Sequence, residues 1–189
     1  MSQKRQELVD TAIALFSEHG FHNTGIDRIA QEANVSKKTM YHHFRSKEEL
    51  ILAALKHHDG LFRNFFMKSV NGVSDSPYER LLGVFDVASE WFADKQFYGC
   101  IFINAIGEYS NRDDAISQAC QSFKSQMTAF VEELAVDANV RDPKALAETL
   151  SLILEGAIVT SQVSGNPRSA QTAKAAAKVL IDAALEADA

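Results

Sequence analysis

Apolar positions recur at helical spacing along the whole chain, and no alternating run of Val, Ile and Thr marks a strand. Leu8, Ala12, Leu15 and Phe16 follow an i, i+4, i+7, i+8 stripe, which predicts a helix from Lys4 to His19. Gly20 then supplies the residue that a helix C-terminus favours. Ile26, Ile29, Ala30 and Ala33 form the stripe of a short second helix. Thr24 and Asp27 have the N-cap and N3 spacing of a capping box at its start. Asn34-Val35 makes a tight turn, and Ser36 is placed to cap a third short helix, Lys37 to Phe44. Ser46-Lys47-Glu48-Glu49 before Leu50 is a complete capping box, opening a long helix to about Val70.

The remainder reads as five more helical segments. Ser76-Pro77 starts one that carries Leu81, Leu82, Phe85, Ala88, Trp91 and Phe92, with Pro at the first helical position. Phe97 to Tyr109 is a compact apolar segment. Asn111 or Asp113 starts a helix to about Asp137, Asp142-Pro143 another to about Val163, and the last runs from Ser169 to Ala187. The fold class expected is all-α, with about nine helices and no repeat of fixed period.

Composition narrows the function classes. The 189 residues are 46% hydrophobic and 23% charged, with 3 Pro and 9 Gly, which is ordinary for a globular chain. Two cysteines, Cys100 and Cys120, are not a disulfide framework and fit a reducing compartment. The charged opening, Met1 to Asp10, lacks the apolar core of a secretory leader, and no apolar run approaches about 20 residues. A cytoplasmic location with no membrane span is therefore expected. The net charge of −6 does not suggest a nucleic-acid binder, but its distribution does. No acidic residue falls between Ala33 and Lys47, a stretch with Lys37, Lys38, His42, His43, Arg45 and Lys47. A basic island on an acidic chain binds phosphate locally; the plainer reading is a solvated helix face.

Two short helices joined by a tight turn, the second one basic, are the layout of a helix-turn-helix. Ser36, Lys37, Lys38 and Thr39 sit at the N-terminus of the second, the end that reaches base edges and attracts phosphate. Lysine there opposes the helix dipole, which points to service to a partner. The runs Thr24-Gly25-Ile26-Asp27-Arg28-Ile29-Ala30, Ala33-Asn34-Val35-Ser36-Lys37-Lys38-Thr39 and Met40-Tyr41-His42-His43-Phe44-Arg45-Ser46-Lys47-Glu48-Glu49-Leu50 resemble the N-terminal signature of the tetracycline-repressor (TetR) family. Ala14-Leu15-Phe16 with Gly20-Phe21 adds to the resemblance.

The resemblance implies a DNA-binding domain over residues 1–50, with its motif at about 24–44, and a ligand-binding and dimerisation domain over 51–189. It implies a homodimer on a palindromic double-stranded DNA operator, released by a ligand, with repression the default sign; that the ligand is small and hydrophobic or aromatic is read from the aromatic residues of the C-terminal part. By the same resemblance Thr24 is a phosphate contact and Arg28 a base or phosphate contact. Ser36, Lys37, Lys38 and Thr39 are groove and backbone contacts, Tyr41 and His42 an aromatic pair on the DNA, and Lys47 a backbone clamp. Phe44 is expected in the core, and His43 stands between packing and DNA.

The C-terminal part gives weaker signals. Phe62, Phe65, Phe66, Phe85, Trp91, Phe92, Phe97 and Phe102 are a concentrated aromatic set. Core packing is the plainer reading. The alternative is a cavity for an apolar ligand, for which Phe62, Phe66, Phe85, Trp91, Cys100, Asn104 and Glu108 are candidate lining residues. Gly99-Cys100 with Asn104 resembles a segment near the ligand cavity in one branch of the family. Leu146, Leu150, Ile153 and Ala157 on one late helix, and Ala173, Ala177 and Leu180 on the next, are candidates for the four-helix dimer interface that the family implies. An ordinary intrachain core is their alternative.

Other classes fare worse. Adjacent histidines such as His42-His43 and His57-His58 point about 100° apart on a helix, so neither pair chelates a metal by itself. No nucleophile elbow, P-loop or Gly-rich dinucleotide turn is present, so neither cofactor nor catalysis is expected. A helical enzyme on an apolar substrate and a non-specific architectural DNA binder remain as alternatives. The absent acid/base pair counts against the first, and the acidic C-terminal part against the second.

Overall fold

The computed structural model describes residues 2–109, 111 and 114–186. Among them are nine α-helices and no strand: α1 Gln3–His19, α2 Ile26–Glu32, α3 Lys37–His43, α4 Lys47–Asn71, α5 Pro77–Phe92, α6 Ile101–Glu108, α7 Ala115–Asp137, α8 Pro143–Ser164 and α9 Ser169–Glu186. The all-α expectation is met. Asp113, an alternative start for α7, and Ala187, the expected end of α9, lie outside the described residues.

Local chemistry sets most boundaries. Ser2, Ser36, Ser76 and Asp142 each accept the backbone N–H three residues on, as N-caps do. Pro77 and Pro143 occupy the first helical turn, where a missing N–H costs nothing. Two asparagines stop helices. Asn34 has φ 52° and Asn139 φ 57°. In each case the asparagine N–H bonds back three residues and the next N–H bonds back five, the paired pattern of a Schellman stop.

The start of α2 departs from the capping box read in the sequence. Gly25 is its N-cap, and no side chain caps it. Thr24 is fully buried, and its hydroxyl donates to the Gly20 carbonyl at 2.7 Å. The box spacing is present, but the carbonyl four residues back takes the hydroxyl.

The chain divides into two compact units, and the boundary expected at residue 50 falls within α4. One unit comprises the chain up to Phe62 together with Cys100–Phe123. Leu8, Val9, Phe16, Phe21, Ile29, Met40, Phe44, Leu50 and Leu55 form its core. Each is worth about 1.5–3 kcal/mol of burial. The Phe16 and Phe21 rings stack at 4.8 Å, and Phe102 of α6 stacks on Phe123 of α7 at 3.8 Å.

The other unit comprises Arg63–Gly99 with the chain from Lys124. Leu81, Phe85 and Ala88 of α5 are buried there with Leu150 of α8 and Ala177 and Ile181 of α9. Lys174 Nζ bonds both Asp86 carboxylate oxygens at 2.7 Å. Tyr78 donates its hydroxyl to Asp182 at 2.7 Å and accepts from Lys178 Nζ at 2.9 Å, so both ends of this contact tie α5 to α9.

By length and composition alone, helix α8 is apolar enough to cross a membrane. Glu148, Thr149, Ser151 and Glu155 interrupt it, so it holds no unbroken apolar run of that length. Leu146, Ala147, Leu150, Ala157 and Ile158 of this helix are buried in their own unit.

Candidate nucleic-acid interface

Helix α3 is seven residues long, so its face is set by two anchors. Met40 and Phe44 are both fully buried. At 100° per residue, the direction opposite Met40 belongs to Lys38 and His42, with Tyr41 and Thr39 to either side. Lys38, Tyr41 and His42 are exposed and Thr39 half-buried, as that geometry demands. Phe44 is core, as expected, and the Arg5 guanidinium lies 4.7 Å over its ring. His43 is half-buried with its ring against His42 at 5.3 Å.

The N-terminal end of α3 is ordered by its own side chains. Ser36 Oγ accepts the Thr39 N–H at 3.0 Å and shares a hydrogen bond with the Thr39 hydroxyl at 2.8 Å. Lys37 Nζ lies 2.7 Å from Asp27 Oδ1 of α2. The hydrogen bond and charge of Asp27 push the Lys37 ammonium above its ordinary value. The lysine that opposes the dipole thus has a partner within the chain.

Arg28 is exposed on α2, its Nη2 2.8 Å from His19 Nε2. Lys47, half-buried at the start of α4, reaches the His22 carbonyl at 3.4 Å. The first half of the Ser46 box forms, with Ser46 Oγ accepting the Glu49 N–H at 3.2 Å, while Glu49 Oε2 accepts the N–H of Arg45, one residue before the cap, at 2.7 Å. Arg45, part of the basic stretch, is exposed at this junction. Thr24, expected on phosphate, is corrected: its hydroxyl is buried and committed to Gly20.

The candidate ligand residues are divided between the two units. Phe62, Cys100, Asn104 and Glu108 belong to the first unit, and Phe66, Phe85 and Trp91 to the second. Phe66 and Phe85 are core, and Trp91 packs between Phe92 at 5.6 Å and Phe97 at 5.1 Å. Cys100 is buried as the N-cap of α6, and Cys120 is also buried and unbridged. The first unit has a cleft of about 360 Å³ lined by Leu52, Leu55, Lys56 and Asp59 of α4, Phe102 of α6 and Ala115, Gln118, Ala119 and Ser122 of α7. None of the seven expected residues lines it. Phe62 flanks this region by stacking on His58 at 5.8 Å. Burial pushes His58 down to about 4, so it is neutral near pH 7. Glu108 instead grips the loop between α1 and α2, accepting the Phe21 N–H at 2.8 Å.

The candidate dimer residues divide as well. Leu146, Leu150, Ala157, Ala173 and Ala177 are buried within the single chain, which is the intrachain alternative. Ile153 is half-buried, and Leu180 is 36% exposed. Large apolar side chains left open on α8 and α9 include Leu152, Val159, Val163 and Val179.

Comparison with known proteins agrees with this layout. Residues 8–54 match the family model "Bacterial regulatory proteins, tetR family", and residues 77–177 match "Tetracyclin repressor-like, C-terminal domain". The HTH-type transcriptional regulator YjdC of Escherichia coli is 23% identical over 170 residues, covering 90% of this chain and 89% of YjdC. The HTH-type transcriptional repressor KstR2 of Mycobacterium tuberculosis is 34% identical over 91 residues, 48% of this chain and 44% of KstR2. The crystal structure of a TetR-family transcriptional regulator from Streptomyces coelicolor superimposes with a TM-score of 0.88 at 27% identity, covering 96% of this chain and 95% of that one. The chain belongs to the TetR family, and it is a DNA-binding regulator of transcription.

Proposed function

We propose that this regulator is a cytoplasmic repressor that binds a palindromic operator as a homodimer and leaves it when a small hydrophobic or aromatic ligand binds. The observation that carries the reading is the α3 face. Met40 and Phe44 are spent on the core, and Lys38, Tyr41 and His42 are turned to solvent. On that face Tyr41 keeps a large ring 48% exposed beside the two polar groups. The three suit a major groove, where cations neutralise phosphate and ring edges reach bases. The name of KstR2 as a repressor supports the sign.

Dimerisation is supported by the open apolar side chains on α8 and α9. Leu152 is 71% exposed, Val163 83% and Val179 67%, more apolar surface than an isolated chain gains from leaving wet. A second copy of the same face covers them by twofold symmetry. The ligand reading rests on the α4–α6–α7 cleft. Leu52, Leu55, Phe102 and Ala119 offer an apolar wall, and Lys56 and Asp59 offer polar ends.

The test is stoichiometry on DNA. A duplex selected by the protein from a random pool should be palindromic and take up two copies per duplex. Its half-sites should be about 34–36 Å apart, or a multiple of one turn. Selection of an asymmetric site occupied by one copy would overturn the dimeric reading.

A further inference from the structure

The loop between α1 and α2 is held from outside the helix-turn-helix by one carboxylate. Glu108, the last residue of α6, accepts three hydrogen bonds there. Phe21 N–H donates to Oε1 at 2.8 Å, His22 N–H to Oε2 at 2.6 Å, and His22 Nδ1 lies 2.7 Å from Oε2. The Tyr109 ring stacks on the His22 imidazole, 5.0 Å between centroids and 17° between planes. Lys47 donates to the His22 carbonyl from the other side. Residue 20 fits this arrangement only as glycine. Its φ is +81°, and a Cβ there would lie 2.9 Å from Glu108 Oε1.

What the grip fixes is the entry to α2. Thr24 ties the same loop back to the Gly20 carbonyl, and Gly25 begins α2 without a side-chain cap. Helix α2 then carries Arg28, and its Asp27 holds Lys37 at the start of α3. Neither Glu108 nor Tyr109 belongs to the helices expected on DNA. The carboxylate also carries the wrong sign to contact phosphate. We propose that Glu108 is a positioning residue for DNA binding: its carboxylate, with Tyr109 against His22, sets the α1–α2 loop and so the placement of α2 and α3 on the duplex.

A residue that served stability alone would leave affinity unchanged in a folded variant. The reading rests on the DNA binding that the family assigns, so each test runs beside a direct-contact control. The probe is a labelled duplex selected from a random pool by the wild-type protein. Glu108→Gln keeps the size of the side chain but turns an amide donor toward a donor N–H. It should weaken binding at least tenfold at 25 °C. The salt dependence should stay unchanged, because no phosphate contact is removed. Amide exchange at Phe21 and His22 should quicken. Tyr109→Leu, which removes the ring from His22 but leaves the three hydrogen bonds of Glu108 in place, should weaken binding in the same direction by a smaller factor. Lys38→Ala, the control, should instead lower the salt slope. A folded Glu108→Gln protein with faster loop exchange and wild-type affinity would overturn the proposal. If Glu108→Gln fails to fold, wild-type affinity in Tyr109→Leu overturns it equally. Wild-type protein that selects no duplex would sink the DNA reading itself.

Discussion

Lys37 Nζ sits 2.7 Å from Asp27 Oδ1, so the first residue of the recognition helix is ion-paired to the helix before it. Half of the basic character read at this end is therefore answered inside the chain, while Lys38, one residue on, is turned outward. The two lysines should differ in a salt titration of DNA binding. Loss of one phosphate contact lowers the slope of log K against log salt by about 0.9. Lys38→Ala should show that loss, and Lys37→Ala a distinctly smaller one. Equal slopes in the two variants would show that Asp27 releases Lys37 when DNA arrives.

The buried hydroxyl of Thr24 makes a second prediction. Thr24→Val keeps the shape but leaves the Gly20 carbonyl without its donor. An unsatisfied buried group costs about 1–3 kcal/mol, which denaturant unfolding measures directly. At temperatures where the variant is folded its salt slope should equal wild type. A lowered slope would restore Thr24 to the phosphate contacts.

The helix boundaries and the α3 face were legible in the sequence because they are local. Ser36, Ser46 and Ser76 each stand three residues from the N–H they accept, and Met40 and Phe44 are apolar amid polar neighbours. Thr24 was misread because a capping spacing cannot show that the Gly20 carbonyl, four residues back, takes the hydroxyl first. The role of Glu108 was invisible because its partner His22 is 86 residues away. On α8 and α9 apolar residues surround the helix, so periodicity could not say which side meets the chain's own core and which is left open.

Those two sides should separate by mutation. Leu150 is buried within the chain, and Leu150→Ala should cost about 2–5 kcal/mol of stability with the oligomeric state unchanged. Val163 is 83% exposed, and Val163→Glu should keep the fold yet yield monomers in sedimentation. A burial cost of several kcal/mol for an unpaired charge is enough to part such an interface. A Val163→Glu protein that stays dimeric would move the interface off this face.

Acid should act through His58. Its ordinary value is 6.5 and burial holds it near 4, so the native imidazole stays neutral where that of the unfolded chain takes up a proton. Stability conferred by this group is full above pH 6.5 and falls as the pH drops from 6.5 toward 4. Denaturation curves of His58→Leu should lose that part of the slope. An unchanged pH dependence would show that His58 is charged in the native state.

Sequence-specific DNA binding through α3 is the central claim, and a competition assay tests it most directly. At physiological salt the wild-type protein should prefer its selected duplex over random DNA by about 10³ or more, as specific regulators do. His42→Ala, which removes an exposed group from the outward face, should reduce that ratio more than it reduces binding to random DNA. Equal affinity of the wild-type protein for selected and random duplexes would contradict the account.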